Sequence, residues 1–295
     1  MNSDTLSSFD PAPQTALAGP ILCVTIATPD LDRSLTAYMS AFGLTCSARG
    51  VIDADLATLW QAPSLSARRW ALLSRHGSRT CGLRLVETDA ARPAPLASLG
   101  WAAAEMSVTD ADSAQLRACA AGFTQLGKVR QLGSTPAIRA GQVAGPEGAA
   151  VYITDVAAYG GALDLSAATG DGACFIAVLA TADLEADRDW LERHGIGQRV
   201  TDREVAVPVL QDTTGAETTR ISSLQLAGGC LIEIDRYPAP TPVRDTSLGW
   251  PAGVAMLTLL TPGIDGTPRP EAPYHGRETR VDRLPGGALL ERVAP

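Results

Sequence analysis

The chain has 295 residues, of which 45% are hydrophobic and 19% are charged, a composition typical of a globular protein large enough for two domains. Its formal net charge of -8 argues against nucleic acid and anionic membranes as partners, since both bind basic surfaces. No apolar run approaches the roughly 20 residues that a membrane-spanning helix requires.

The N-terminal residues 1–19 are polar and proline-containing and lack the basic and apolar regions of a signal peptide, so we expect a flexible tail. We also expect a cytoplasmic location. Lys128 is the sole lysine, and together with the frequent alanines this indicates a GC-rich bacterial genome. The cysteines include no Cys-x-x-Cys pair, which favours reduced core thiols over disulfides. They are Cys23, Cys46, Cys81, Cys119, Cys174 and Cys230.

Module 1 begins with a β-branched stretch, Ile21–Ala27, that predicts a strand. Asp30 then caps a helix that ends at Gly43. A single apolar stripe runs along this helix, formed by Leu31, Leu35, Tyr38, Met39 and Phe42. A loop is predicted around Asp53–Pro63. Two strands complete the module, Arg69–Ser74 and Gly82–Glu87.

Module 2 repeats the order of module 1. Trp101–Val108 predicts its first strand, Asp110 caps its helix and Gly122 ends that helix. Ala149–Asp155 predicts its last strand. The stretch 157–172 is rich in glycine, alanine and serine, which is typical of a linker between domains.

Module 3 starts with a strand at Cys174–Ala180 and a helix capped by Thr181 or Asp183. Its further predicted strands are Val205–Leu210, Ile221–Leu226 and Cys230–Asp235. Module 4 lacks a convincing helix, because Pro262–Pro273 contains four prolines and cannot continue one. It ends with a hairpin-like pair of strands, Glu278–Leu284 and Ala288–Val293.

Two short repeats support this division into modules. Gly228–Glu233 and Gly286–Glu291 share the pattern Gly-Gly-x-Leu-(Ile/Leu)-Glu, and Ser98–Trp101 is identical to Ser247–Trp250. The sequence therefore predicts four βαβββ modules, the fourth degenerate. We expect modules 1 and 2 to form one domain and modules 3 and 4 another, at 20–156 and 173–295. A swapped pairing would instead bring Glu291 near Arg84.

The stretch Cys23–Leu31, with Tyr38 and Gly43, resembles the first strand and helix of the vicinal oxygen chelate superfamily, and Gly229–Glu233 resembles its closing strand. This superfamily includes glyoxalase I, bleomycin-resistance proteins and extradiol dioxygenases. The resemblance extends over most of the chain from Gly19 onward. It implies an α+β fold in which tandem modules form two half-open β-barrel cups with the helices outside.

The resemblance also indicates where metal ligands would lie. The corresponding first-strand places are Cys23, Ala103, Ile176 and roughly Gly253, and the last-strand places are Arg84, Tyr152, Glu233 and Glu291. None of these places holds a histidine, and a thiol beside a carboxylate is not a usual transition-metal site. We therefore expect a metal-independent protein without a cofactor.

The candidate site residues are expected on the concave faces of the cups. Glu233 and Glu291 are the candidate catalytic bases, because a carboxylate in an apolar cup has a raised pKa. The alternative is that each is a relic of a metal site, now paired with an arginine. The candidate substrate-binding residues are Cys23, Thr25, Arg84, Glu105 and Tyr152. These five are expected in one cup, and Glu233 and Glu291 are expected in the other. Arg84 is either a clamp for a substrate oxyanion or a buried partner of Glu105.

The sequence contains no Gly-x-Ser-x-Gly elbow, P-loop or dinucleotide-binding fingerprint. The favoured function is a metal-independent lyase or isomerase of a small apolar carbonyl compound, such as an aromatic, polyketide-like or terpenoid molecule. A non-catalytic protein that binds a hydrophobic or aromatic ligand is the alternative, and a divalent-metal-dependent lyase or dioxygenase is the second alternative. We expect a monomer or homodimer.

Overall fold

The computed structural model describes residues 17–132, 138–156, 163–205, 218–246 and 249–295. Within these ranges the chain forms sixteen β-strands and four α-helices. Module 1 comprises β1 (Ile21–Thr28), α1 (Leu31–Phe42), β2 (Thr45–Val51), α2 (Ala54–Leu59), β3 (Arg69–Ser74) and β4 (Gly82–Glu87). Module 2 comprises β5 (Gly100–Ser107), α3 (Ala111–Ala120), β6 (Thr124–Leu132), β7 (Ile138–Ala144) and β8 (Ala150–Val156).

The remaining elements form modules 3 and 4. Module 3 comprises β9 (Cys174–Thr181), α4 (Leu184–Arg193), β10 (Gln198–Val205), β11 (Thr219–Gln225) and β12 (Leu231–Arg236). Module 4 comprises β13 (Gly253–Leu260), β14 (Thr267–Pro268), β15 (Glu278–Arg283) and β16 (Leu289–Val293), and has no helix among its described residues. The α+β fold of four βαβββ modules, the fourth degenerate, is confirmed.

The helices begin where the sequence places their capping carboxylates. The side chains of Asp30, Asp110 and Asp183 each accept a hydrogen bond from the backbone N–H three residues later. Gly43 ends α1 in the left-handed conformation, at a φ of 66° that a side chain disfavours. These local signals explain why the helix boundaries could be predicted.

One predicted loop contains a helix, and one predicted strand lies mostly outside the described residues. The predicted loop at Asp53–Pro63 contains α2, whose N-terminus is capped by the Asp53 side chain bonding the Leu56 N–H at 2.7 Å. A helix of six residues is too short to show an apolar stripe. The predicted strand Val205–Leu210 lies outside the described residues except for Val205, which is the last residue of β10.

The strands form two eight-stranded sheets. The first has the order β14-β15-β16-β13-β1-β4-β3-β2, and the second has the order β10-β11-β12-β9-β5-β8-β7-β6. Module 1 therefore shares a sheet with module 4, and module 2 shares a sheet with module 3. This differs from the expected domains at 20–156 and 173–295. The stretch 157–172 joins β8 and β9 of one sheet, so its composition marks a connection within that sheet.

A shared hydrophobic core lies between the outer faces of the two sheets, and it includes buried residues from β1, β5, β9, β13 and the helices α1, α3 and α4. The Trp101 indole N–H crosses between the sheets and donates to the Leu289 carbonyl at 2.6 Å. Two smaller cores line the inner, concave faces. Each sheet thus forms a cup whose inner face is separate from the common core.

All six cysteines are free thiols, as expected, and Cys81 and Cys230 approach to an Sγ–Sγ distance of 3.6 Å. Among the described residues, no helix combines the length and hydrophobicity needed to span a membrane.

Candidate functional site

Strand register shows which residues correspond between paired modules. Val24 of β1 lies opposite Leu257 of β13, so Cys23 in module 1 corresponds to Met256 in module 4. The expected counterpart was roughly Gly253, which is wrong. The repeats Ser98–Trp101 and Ser247–Trp250 do not occupy equivalent places, because Trp101 lies within β5, whereas Trp250 precedes β13, which begins at Gly253. In the second sheet Ala104 lies opposite Ala177, so Ala103 corresponds to Ile176 as expected.

The last strands carry equivalent residues across each cup. Arg84 is the register partner of Thr25, and Glu291 is the register partner of Thr258. We call the inner face that contains these four residues and Cys23 the first cup.

The second cup is the equivalent face of modules 2 and 3. There Tyr152 pairs with Glu105, and Glu233 pairs with Val178. The candidate residues therefore divide differently from expectation, because the modules pair differently. The structure brings Glu291 to the Arg84 side and Glu233 to the Glu105 and Tyr152 side.

In the first cup, four side chains saturate the Glu291 carboxylate. Its Oε1 accepts from the Trp60 indole and the Tyr274 hydroxyl, both at 2.7 Å. Its Oε2 accepts from Arg84 at 2.9 Å and from the Thr258 hydroxyl at 2.8 Å. Glu291 is 0% exposed and Arg84 is 1% exposed, so they form a fully desolvated ion pair. A carboxylate held in this way has no free lone pair for a substrate proton.

Arg84 is equally occupied. Its guanidinium donates to the Thr25 hydroxyl at 2.8 and 3.0 Å and to the Tyr274 hydroxyl at 2.7 Å. Its central carbon lies 4.4 Å from the centre of the Trp60 ring, a cation–π contact. Cys23 is buried beside this pair, and burial raises the pKa of its thiol above the ordinary value. The candidate substrate-binding residues of this cup therefore bind one another.

Side chains from two insertions fill the first cup. Trp60 follows α2, and it stacks on Trp250 with ring centres 5.5 Å apart. Tyr274 comes from the proline-rich connection between β14 and β15, and Arg269 of that connection binds both oxygens of Asp53 at 2.8 and 3.0 Å. Sequence reasoning missed Trp60 and Tyr274, since both come from segments interpreted only as loops.

The second cup holds a group of acidic and phenolic side chains that we call the carboxylate cluster, namely Glu105, Tyr152, Glu233, Asp235 and Tyr237. The Glu105 carboxylate accepts from the Thr154 hydroxyl at 2.6 Å, and the Glu233 carboxylate lies 3.7 Å from Arg203. The Tyr152 and Tyr237 hydroxyls and Asp235 Oδ1 are buried without a hydrogen-bond partner among the described residues. Polar groups in this cup are thus incompletely satisfied.

Burial dominates the acid–base properties of the carboxylate cluster. It raises the pKa of Glu105 to about 8, and the charge of Glu233 adds to the rise, whereas Thr154 and Arg203 oppose it. Burial also raises the pKa of Glu233, and Arg203 opposes that rise. The pKa of Asp235 lies well above its ordinary value, because of burial and then of the charges on Glu233 and Glu105. Three such neighbours cannot all ionise at neutral pH.

Asp235 and Tyr237 were missed, although a simple signal points to them. Glu233, Asp235 and Tyr237 alternate along β12 and its continuation, and alternate residues of a strand share a face. The apolar lining of the second cup surrounds the cluster and includes Ala103, Ala150, Ile176, Val178 and Leu231. Surface clefts of about 130 and 410 Å³ are lined by other residues and do not contact the cluster.

The donor set does not fit the metal site that the resemblance implies. In the first cup the corresponding places hold Cys23, Met256, Arg84 and Glu291, so a fixed positive charge stands where a ligand would be needed. In the second cup Ala103 and Ile176 provide no donor atoms. The described residues also contain no group of three or more histidine, cysteine, aspartate or glutamate side chains placed to hold a metal ion.

The chain is similar in structure to glyoxalase I from Zea mays, with a TM-score of 0.61 and 13% sequence identity over 93% of this chain and 92% of that chain. A putative dioxygenase from Bacillus subtilis subsp. subtilis str. 168 matches with a TM-score of 0.61 and 12% identity, over 95% of this chain and 86% of that chain. No protein-family model matches the chain, and no curated protein matches its sequence.

These likenesses establish the fold. The chain shares the fold of these two proteins, which is the fold that the resemblance of Cys23–Leu31 and Gly229–Glu233 predicted. At this level of identity the likeness says nothing about the reaction, because one fold supports many chemistries.

Proposed function

We propose that this protein is a metal-independent lyase or isomerase of a small, mostly apolar carbonyl compound, and that the second cup is its active site. The observation that carries the proposal is the carboxylate cluster, in which three desolvated acids lie beside two tyrosine hydroxyls that lack partners among the described residues. A buried polar group without a partner is unfavourable, and a role in binding or catalysis is one explanation for keeping it.

The environments of Glu233 and Glu105 support different roles for the two acids. Glu233 has Arg203 at 3.7 Å, which favours its ionised form, and it serves as the general base. The pKa of Glu105 is raised to about 8, so this carboxyl is mainly protonated at neutral pH and can donate a hydrogen bond. The ion pair with Arg203 distinguishes Glu233 from Glu105, and on this difference the base and acid roles are assigned.

The reaction proceeds through an enolate. Glu233 removes the proton from the carbon next to the substrate carbonyl, and the electron pair moves onto the carbonyl oxygen. Glu105 and the Tyr152 hydroxyl donate hydrogen bonds to that oxygen, where the negative charge develops. An isomerase returns the proton to another carbon, whereas a lyase expels a leaving group from the β-carbon. The apolar residues around the cluster suit an aromatic, polyketide-like or terpenoid body.

Hydrogen–deuterium exchange of a carbonyl probe tests the proton-transfer step without knowledge of the natural substrate. β-Tetralone in deuterium oxide, followed by proton NMR, reports loss of its α-protons. We expect the protein to accelerate exchange over buffer by about tenfold or more, and Glu233→Gln to abolish the acceleration. Glu87→Gln, which alters a carboxylate outside the carboxylate cluster, serves as the matched control and keeps the full rate.

The apolar lining of the second cup also suits the alternative function, a non-catalytic protein that binds a hydrophobic ligand. The same measurement separates the two. Binding of β-tetralone without accelerated exchange favours a ligand-binding protein, whereas an acceleration that survives in Glu233→Gln removes Glu233 from the role of base.

A further inference from the structure

The carboxylate cluster contains three acidic side chains and has one arginine within ion-pair distance. Glu105 and Asp235 are 8% and 1% exposed, and the Glu233 side chain is 16% exposed. The basic groups that act on the cluster are Arg203 and Arg244. The Arg203 side chain is 48% exposed and reaches only Glu233, at 3.7 Å, and Arg244 donates to backbone carbonyls and a serine hydroxyl. Among the described residues, neither arginine lies within ion-pair distance of Asp235.

The rest of the chain holds no further basic side chain for this cup. Lysine, arginine and histidine are absent from the residues outside the described ranges, namely 1–16, 133–137, 157–162, 206–217 and 247–248. Every basic side chain of the protein therefore belongs to the described part, where Arg203 alone reaches the cluster within ion-pair distance. Asp235 therefore either keeps a proton or, when ionised, takes its counter-charge from another molecule.

A second, independent observation also points to a ligand. The Tyr152 and Tyr237 hydroxyls are buried in residues that are 8% and 2% exposed, and neither has a hydrogen-bond partner among the described residues. Asp235 Oδ1 is likewise buried and has no hydrogen-bond partner among the described residues. A buried hydroxyl without a partner is unfavourable, and native proteins keep few of them. The cup thus presents oxygen acceptors of hydrogen bonds that the described protein groups do not use.

We propose that the second cup binds a molecule with a protonated amine on an apolar body, and that Asp235 is the anion that receives the ammonium group. The inference deepens the proposed function and rests on it for the reaction that follows binding. It names a feature of the substrate: a basic nitrogen in addition to the carbonyl group.

The chemistry of an ammonium group matches what the cup offers. Such a group has three N–H donors and no acceptor, so it can satisfy Asp235 Oδ1 and the oxygens of Tyr152 and Tyr237 together. The phenol rings can also contact a cation through their faces. Ala103, Ile176 and other apolar residues line the same cup and suit a hydrocarbon body. With the amine on Asp235, the carbonyl end of the molecule is left for Glu105 and Glu233.

Two probes that differ only in their head group test the inference. Cyclohexylmethylamine and cyclohexylmethanol share one apolar body, and isothermal titration calorimetry near neutral pH compares their affinities. We expect the amine to bind about tenfold more tightly or better. Titrations in phosphate and in Tris should also differ in heat, because the carboxyls that burial keeps protonated release protons when the ammonium arrives.

Asp235→Asn keeps the shape of the side chain and removes its charge. We expect this variant to lose about tenfold in amine affinity and to keep its affinity for the alcohol. Asp89→Asn alters an exposed aspartate outside the second cup and is the matched control, with both affinities unchanged. Glu233→Gln is the second variant if Asp235→Asn fails to fold, and it too should weaken amine binding.

Equal affinities for the two probes, no binding of either, or an amine preference that survives in both variants would overturn the inference. The proposed function fails separately, since it is measured by exchange of β-tetralone, which has no amine. Accelerated exchange without a preference for the amine would support the proposed reaction and contradict the binding of an amine. Amine preference without exchange indicates a binding protein for cationic apolar ligands.

Discussion

In the first cup Glu291 accepts four hydrogen bonds and is fully buried with Arg84, whereas Glu233, at the equivalent place of the second cup, has one ion pair with a half-exposed arginine. The backbone around the two glutamates is the same, since each is the third residue of the last strand in its module. The side chains that fill the cup therefore decide whether a carboxylate stabilises the fold or stays available for a ligand.

The origin of the difference lies in the insertions of modules 1 and 4. The segment after β2 brings Trp60 to Glu291, and the connection before β15 brings Tyr274 to it. Modules 2 and 3 have no counterpart of these contacts among their described residues. One cup is thus filled by the protein itself, and the other retains acids and hydroxyls without partners.

The largest expected effect is on stability and concerns Arg84. Arg84→Met leaves the Glu291 charge buried without compensation, and we expect a loss of about 3–5 kcal/mol in the free energy of unfolding, measured by urea denaturation. Tyr152→Phe, at the equivalent place of the second cup, should change stability by about 0.5 kcal/mol or less, because it removes a hydroxyl without a partner.

A double variant distinguishes loss of the pair from loss of packing. Arg84→Met with Glu291→Leu replaces both charges by apolar groups and should regain much of the stability. A single variant as stable as the wild type, or a double variant no more stable than the single one, would contradict the conclusion that the Arg84–Glu291 ion pair stabilises the first cup.

The second prediction concerns the pH dependence of stability. The pKa of Glu105 is about 8 in the folded protein and lies near 4.5 in the unfolded chain, so the folded state holds the proton longer. Stability from this group is complete below about pH 4.5 and is lost as the pH rises toward about 8, at about 1.4 kcal/mol per pH unit.

Urea midpoints of wild type and Glu105→Gln between those pH values isolate this contribution. The variant cannot ionise, so it should lose less stability with rising pH than the wild type. Parallel curves for the two proteins would show that Glu105 titrates alike in both states, and would remove the basis for treating it as a proton donor.

The third prediction concerns Tyr274, whose hydroxyl donates to Glu291 and accepts from Arg84. Tyr274→Phe leaves both charged groups short of a partner, and we expect a loss of about 1–3 kcal/mol in thermal or urea unfolding. Tyr237→Phe is the matched control from the second cup and should be nearly neutral. A similar loss in both variants would mean that the two cups do not differ in polar satisfaction.

The smallest expected effect concerns the contact between the start of α2 and the connection that carries Tyr274. Asp53 caps α2 and also binds Arg269 of the connection that carries Tyr274. Asp53→Ala should cost about 1 kcal/mol, measured by urea denaturation, chiefly through loss of the cap. Asp183→Ala removes the cap of α4 and should cost about the same. A much larger loss for Asp53→Ala would show that its contact with Arg269 adds substantially to the free energy of unfolding.

The sequence predicted the local features of the fold well, because they depend on neighbouring residues. Asp30, Asp110 and Asp183 identify helix starts through their own hydrogen bonds. The repeat that ends in Glu233 and Glu291 predicted two equivalent strands. The six-residue helix α2 was missed, since it has too few turns to show a period.

The candidate site was predicted only in part. Glu105, Tyr152 and Glu233 were each recognised as residues of a concave face, and the structure brings them together with Asp235 and Tyr237. Their role as catalytic or substrate-binding residues stays a prediction. Arg84 and Glu291 were also recognised, but their mutual pairing depended on which modules share a sheet.

The sequence by itself determined the number of modules, their element order and the positions of the acidic residues on the strands, since these follow from local periodicity and short repeats. Only the tertiary structure decided that β1 pairs with β13 and β5 with β9, and that Trp60 and Tyr274 fill one cup. Those choices depend on contacts between residues up to 231 positions apart. Local patterns do not encode such contacts, because they are selected by the burial of whole sheet faces against one another.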